Sequence, residues 1–297
     1  MAARKNRNRQ RRRRRGRFGV LYKLLSFLLI FSALVAGCVV FFRVDQVTVT
    51  GSDRYTAQEI IAASGVEQGD NLFLINKPQV VRAITRKLPY IEAVTPVKAL
   101  PDTLELHIIE SRAAAVLEGE EGRWLLNASG KLVEKEGAER KEGLPLVTGL
   151  HPVTPNLGGR LTVELEEQVR LEGLKGLLAA LEARGMEENV KTFIDLTSAN
   201  AIYFDYGEEL TVVVPTSGNF DRLIFSLQRV VETFQNNGER LTGTLDMTYG
   251  DKQARLLTER WLPEYLRPAQ PEPDPLPDHS PEVPSEEEIV PPSGSEG

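Results

Sequence analysis

Few residues in this 297-residue chain have the type and spacing that chemistry needs. The single cysteine, Cys38, closes Val35-Ala36-Gly37-Cys38, which looks like a lipobox. A lipobox cysteine is normally followed by a polar tether. Here Val39-Val40-Phe41-Phe42 continue the apolar run, so Cys38 reads as a small apolar residue of a span. His107, His151 and His279 are too far apart in sequence to make the cluster that zinc requires. The chain has no Ser-x-x-Lys, no Gly-x-Ser-x-Gly, no Walker loop and no His-Glu-x-x-His. Acids are plentiful but spread along polar faces, where solvated surface is their commonest meaning. No motif supplies the roles a catalytic site needs, so no enzyme is expected. Asn127-Ala-Ser129 matches a glycosylation sequon, a three-residue pattern that carries little information. The arginine run near the start is a generic polyanion binder, but it lacks aromatic or glycine interleaving and abuts an apolar run. Topology and anionic lipid explain it better than nucleic acid, which is not expected as a partner.

Charge organises the chain more than any motif does. The net charge is −6, yet residues 1–43 hold twelve Lys/Arg and no acid, which leaves −18 for the remainder. From Leu24 to Phe42 nineteen residues carry no charge. At about 1.5 Å per helical residue they reach about 28 Å, close to the hydrocarbon thickness of a bilayer. A transmembrane helix is therefore expected over 24–42, with Leu24, Leu28, Phe31, Val35, Val39 and Phe42 among its residues. The positive-inside rule keeps the arm, 1–23, in the cytoplasm and the bulk outside. The run is too long for a cleaved signal peptide and is followed by no small-x-small site. With Cys38 alone, the outer part has no disulfide.

The elements that follow predict an α+β fold. Val44 to Gly51 reads as a strand ending at a turn. Thr56-Ala-Gln-Glu59 is a capping box opening a short helix with Ile60 and Ile61. Pro78 sits in the first turn of a second helix that Pro89 ends. Strands are expected at Ile91–Leu100 and Thr103–Glu110 about a Pro101-Asp102 turn, giving β-α-α-β-β with a three-stranded sheet and both helices on one face. A second α+β domain with a mixed or antiparallel sheet follows. It has a hairpin about Ala128-Ser-Gly130, a short edge strand at Leu144–Gly149 and a helix over 164–183. Strands at 192–196, 201–204 and 210–214 precede a helix capped by Asn219 and stopped by Gly238. A last hairpin pairs 244–247 with 254–257 around Tyr249-Gly-Asp251. Residues 268–297 contain nine prolines and eight acids and no Lys or Arg, so a disordered tail is expected over 264–297.

Taken together these segments resemble the FtsQ/DivIB family of bacterial cell-division proteins. Phe42-Arg-Val44 with Val47-Thr-Val49-Thr-Gly51 resembles the opening strand of that family's POTRA domain. Gly69-Asp-Asn71-Leu-Phe73, Leu88-Pro89-Tyr-Ile91 and Pro101-Asp102-Thr103-Leu104 with Glu110-Ser-Arg112 look like its next elements. Ala113-Ala114 stands where a proline is common. Beyond them, Asn127-x-x-Gly130 stands at a usual Asp-x-x-Gly, and Leu144-Pro-Leu-Val-Thr-Gly149 looks like the family's LPxLxG. Leu245-Asp-Met-Thr-Tyr249-Gly is similar to a late element in which Thr248 replaces arginine. The Pro/acidic tail makes the DivIB branch the nearer match.

The resemblance implies a POTRA domain at 43–112 and a β domain of FtsQ/DivIB type at 113–263. It implies a non-catalytic scaffold with no cofactor and no metal, in the cell membrane at the division septum. Its partners would be FtsL-like and DivIC/FtsB-like bitopic proteins, with the septal penicillin-binding protein as a further one. It places the main contact on the last strands, where a partner adds a strand to an open edge. The candidate residues are Thr244, Leu245, Met247, Tyr249, Ala254, Leu256 and Leu257, with Tyr249 as an aromatic anchor. The alternative is a lipid-anchored or membrane-tethered envelope-binding protein unrelated to division.

Overall fold

A computed structural model describes residues 18–119, 122–137, 143–249 and 253–267. The basic arm up to Arg17, the Gly250-Asp251 turn and the tail from Pro268 lie outside the described residues. The chain divides into two compact parts, Met1–Trp261 and Leu262–Gly297. In the second, a single 3-10 turn at Glu264–Leu266 is described, with Arg267 Nε donating to Leu262 O at 3.0 Å.

The apolar run forms helix α1, Phe18–Phe41, which starts one and a half turns before the expected Leu24 and includes Lys23. Among the described residues it is the one helix long and apolar enough to cross a membrane. Leu24, Leu28, Phe31, Val35 and Val39 all project from it without protein cover, as does Cys38. Phe42 departs from the expectation. It lies past the last helical residue and is half-buried, its ring packed edge-on against Phe73 at 4.7 Å between centroids. The chain has to leave the helix there because Val44 is drawn into the next module's core.

That module has the expected order: β1 (Gln46–Thr50), α2 (Ala57–Ser64), α3 (Lys77–Lys87), β2 (Ile91–Ala99) and β3 (Thr103–Glu110). The sheet order is β1-β3-β2, with β1 parallel and β2 antiparallel to β3. The capping box closes as the sequence predicts. Glu59 N donates to Thr56 Oγ1 at 3.3 Å and Thr56 N to Glu59 Oε2 at 2.8 Å. Gly51 turns the chain at φ +85°, and a Cβ there would meet Ile108 O at 2.3 Å. Ile60, Val80 and Ile84 from the helices close over Val94, Leu104, Leu106 and Ile108 of the sheet. Burying each such side chain contributes about 1.5–3 kcal/mol.

A nine-stranded mixed sheet follows. Its strands are β4 (Ala115–Gly119), β5 (Gly122–Leu126), β6 (Leu132–Lys135), β7 (Leu146–Thr148), β8 (Phe193–Asp195), β9 (Ala201–Tyr206), β10 (Leu210–Pro215), β11 (Gly243–Asp246) and β12 (Arg255–Leu257). They run in the order β12-β11-β10-β9-β8-β7-β4-β5-β6. Helices α4 (Gln168–Ala183) and α5 (Phe220–Asn237) cover one face with leucines 171, 174, 177, 178 and 181 and with Phe220, Leu223, Ile224 and Leu227. Gly173 and Gly176 let α4 approach closely: a Cβ would lie 2.3 Å from Thr216 O and 2.5 Å from the Phe220 ring. Asn219 and Gly238 cap α5 as expected.

Three readings need correction. The strand at Leu146–Thr148 is central, between β8 and β4, and parallel to both. Pro145 precedes the strand and accepts through its carbonyl from Val116 N at 2.9 Å, so no ladder donor is lost. Its neighbour β4 was not foreseen in the sequence. The acids are not all on solvated faces: Asp195, Asp205 and Glu167 are buried. Asp205, fully buried, accepts from the backbone N–H groups of Lys191, Thr192 and Phe193 at 3.0–3.1 Å and so fixes the entry to β8.

Candidate functional site

Strand β12 is one end of the nine-stranded sheet and, among the described residues, is hydrogen-bonded to β11 on one side alone. An edge strand presents unpaired N–H and C=O groups along its outer side, a template for another strand. Residues Thr244, Leu245 and Asp246 pair antiparallel with Leu257, Leu256 and Arg255. Leu256 and Leu257 are 43% and 38% exposed, on opposite faces of the strand as the alternation of side chains requires. Tyr249 is 63% exposed, and Ala254 is exposed beside the strand.

The structure splits the seven candidates into two groups. Tyr249, Ala254, Leu256 and Leu257 are open to an incoming chain. Thr244, Leu245 and Met247 are buried, so their side chains hold the edge rather than meet a partner. Leu245 and Met247 join the core under α5. Thr244 Oγ1 donates to Glu259 O at 2.7 Å and accepts from Trp261 N at 2.8 Å. Thr211 Oγ1 donates to Trp261 O at 2.7 Å, and the Trp261 ring stacks on Tyr203 at 4.2 Å. The segment after β12 is thereby tied back across β11, β10 and β9. Gly243 sits at φ +99°, and a Cβ on it would come within 2.1 Å of Leu257 O, so β12 can lie this close only against glycine. Trp261 and Thr211 were not singled out from sequence. One of only two tryptophans, just ahead of Pro263, was the available signal.

A second constellation joins the two sheets. Tyr90 belongs to an apolar cluster with Val116, Leu125, Val133 and Leu146, on the sheet face opposite the helices. Its hydroxyl donates to Glu134, and the Arg54 guanidinium lies 3.5 Å from its ring centroid. Burial, then the Glu134 carboxylate, pushes the Tyr90 phenol well above its ordinary range. Lys131 reaches across to Thr85 O at 3.0 Å and Ile91 O at 2.8 Å, and burial lowers its pKa. Asn127 Nδ2 donates to Glu92 at 2.7 Å, while Asn127 Oδ1 accepts from Lys131 N at 2.8 Å. With the residue almost fully buried, the sequon at 127–129 presents no free amide.

The histidines stand apart. His107 contacts Thr50 and Glu105, whereas His151 Nδ1 lies 2.6 Å from Glu167 Oε1. Burial opposes ionisation of Glu167, but the bonds from His151 and the charge of Arg170 outweigh it and hold the carboxyl below the usual range. Among the described residues no three His, Cys, Asp or Glu side chains could hold a metal ion.

Comparison with known proteins bears on both sheets. Residues 42–111 match the model of the POTRA domain, FtsQ-type. The chain is 25% identical over 210 residues to the cell division protein FtsQ of Anaeromyxobacter sp. (strain K), covering 67% of this chain and 65% of that one. It is 31% identical over 122 residues to the cell division protein DivIB of Geobacillus kaustophilus, covering 39% and 46%. With DivIB of Clostridium botulinum (strain Loch Maree) it shares 24% identity over 198 residues, 66% and 75% of the two chains. The matched part thus spans about half to two thirds of the first two relatives. The motifs that carried the resemblance are structural in this chain. Glu110 takes the Ser52 hydroxyl and Arg54 N at the end of β3, and Asp102 O accepts from Asp45 N at 2.8 Å to set β1 beside β3. Residues 42–111 thus match an FtsQ-type POTRA domain, and the chain is similar over much of its length to bacterial cell division proteins named FtsQ and DivIB.

Proposed function

We propose that this protein is a non-catalytic, membrane-tethered scaffold of bacterial cell division. Its partners are FtsL-like and DivIC/FtsB-like bitopic proteins. The single observation that carries the reading is the open β12 edge, braced from behind by Thr244 and Trp261 and flanked by exposed Tyr249, Leu256 and Leu257. A partner strand would take affinity from the outer backbone groups of β12 and specificity from the side chains on either face. The arm stays in the cytoplasm, α1 spans the membrane, and residues 43–112 and 113–263 act as two extracytoplasmic domains at the septum.

The test is co-purification of the detergent-solubilised full chain, in wild-type form and as Ala254→Pro and Tyr249→Ala. Wild type should capture small bitopic division proteins. Ala254→Pro should lose most of them, since proline removes an N–H beside the edge. Equal capture by a properly folded Ala254→Pro chain would remove β12 as the site. Failure of wild type to capture any such protein would sink the scaffold reading.

A further inference from the structure

The segment between α2 and α3 carries an apolar tip for which the scaffold role has no use. Phe73 is 54% and Leu74 80% exposed, the least covered large apolar pair of the module. They are not on a free loop. Leu72 N donates to Phe42 O, Val44 N to Asp70 O and Gly69 N to Val44 O, each at 2.8 Å. Asn71 Nδ2 donates to Val39 O at 3.2 Å, within the last turn of α1. Lys98 Nζ caps Phe73 O and Ile75 O at 3.1 Å each, which sets the curvature of the tip. The Asn71-Leu72-Phe73 stretch is thus laced to the end of α1.

Depth follows from this lacing. Phe42 ends the uncharged run, so it sits at the boundary between hydrocarbon and water. Phe73 packs against the Phe42 ring, so it lies at the same level. Flanking side chains suit that level. Exposed Arg43 and Lys77 bracket the tip, and no acid occurs from Asn71 to Ile91. Aromatic and aliphatic side chains backed by cations favour the headgroup–acyl boundary.

We propose that Phe73 and Leu74 insert into the outer headgroup–acyl boundary of the bilayer, giving the POTRA domain a second lipid contact beside α1. The tip then fixes the tilt of the POTRA domain against the membrane, because one helix alone leaves it free to swivel. The proposal rests on α1 spanning the bilayer, and the test separates the two.

The full chain would be labelled with an environment-sensitive dye at one cysteine. It is then reconstituted into phosphatidylcholine/phosphatidylglycerol vesicles containing lipid with a doxyl quencher, near the headgroup or at mid-chain. Three positions suffice: native Cys38; Leu74→Cys in a Cys38→Ser background; and, in the same background, Leu165→Cys at an 86% exposed site in the 3-10 turn just before α4. Dye on Cys38 should be quenched from mid-chain, Leu74→Cys should be blue-shifted and quenched from near the headgroup, and Leu165→Cys should be neither. A quenched Cys38 with an unquenched Leu74→Cys would overturn the insertion and leave the span. A blue shift at Leu74→Cys without lipid quenching would mean a protein neighbour and would overturn it too. An unquenched Cys38 would remove the span itself.

Discussion

The ammonium of Lys131, just before β6, donates to the main-chain carbonyl of Ile91, the first residue of β2, at 2.8 Å. One side chain thereby joins the edge of the nine-stranded sheet to the three-stranded one. It does so next to Asn127–Glu92 and Tyr90–Glu134, so the junction is polar at its rim and apolar at Val116, Leu125 and Val133.

Replacing Lys131 by Met should leave the Thr85 and Ile91 carbonyls without their donor. An unsatisfied buried acceptor costs about 1–3 kcal/mol, to be read from urea unfolding of the detergent-solubilised chain. Because burial lowers the folded pKa of Lys131 below its ordinary 10.5, the folded state releases the proton first. Wild-type stability relative to Lys131→Met should therefore rise with pH as the medium approaches 10.5 from below. A flat difference across that range would show that the charge is not strained by burial.

Asn127→Asp should place a second carboxylate against Glu92, where the amide now donates at 2.7 Å. Loss of that bond costs about 1–2 kcal/mol at neutral pH. The penalty should shrink in acid, since protonating either carboxyl restores a donor. Thermal unfolding of the variant at neutral and acidic pH, compared with wild type, checks the sign.

Glu110 shares the sign of the Lys131 linkage, since its folded pKa is also lowered, but here folding favours the charged form. Burial raises its pKa, but bonds from Ser52 and from the backbone at Arg54, Asp53 and Tyr55 win, and the carboxyl sits below its ordinary 4.5. Its contribution is complete above that value and fades as pH falls through the lower folded pKa. Glu110→Gln should therefore unfold more easily at neutral pH and lose less than wild type on acidification. Parallel acid-unfolding curves for the two proteins would contradict this.

At the β12 edge, Gly243→Ala tests geometry without touching an exposed residue. The added methyl meets Leu257 O at a residue held at φ +99°, so β12 must shift or detach. A strained conformation of this kind costs about 1–3 kcal/mol. Amide exchange should accelerate across 255–257 while the three-stranded sheet keeps its protection, and partner capture should weaken with it.

Local order was legible in the residues. The long apolar helix follows from nineteen uncharged positions, the caps of α2 and α5 from Thr56, Glu59, Asn219 and Gly238, and the β-α-α-β-β order from prolines, glycines and alternation. Each of these signals acts within a few residues, where backbone and side-chain preferences decide the outcome. The tertiary structure alone decided who neighbours whom. It put Leu146–Thr148 at the centre of a nine-stranded sheet, buried Asp205 among backbone donors, and turned Thr244 and Met247 inward while leaving Leu256 and Tyr249 outside. It also brought Lys131 to Ile91 and Phe73 to Phe42. Strand order and face are set by pairing between segments far apart in sequence, and a chain's local pattern reads the same whether the surface it meets is solvent, another strand or lipid.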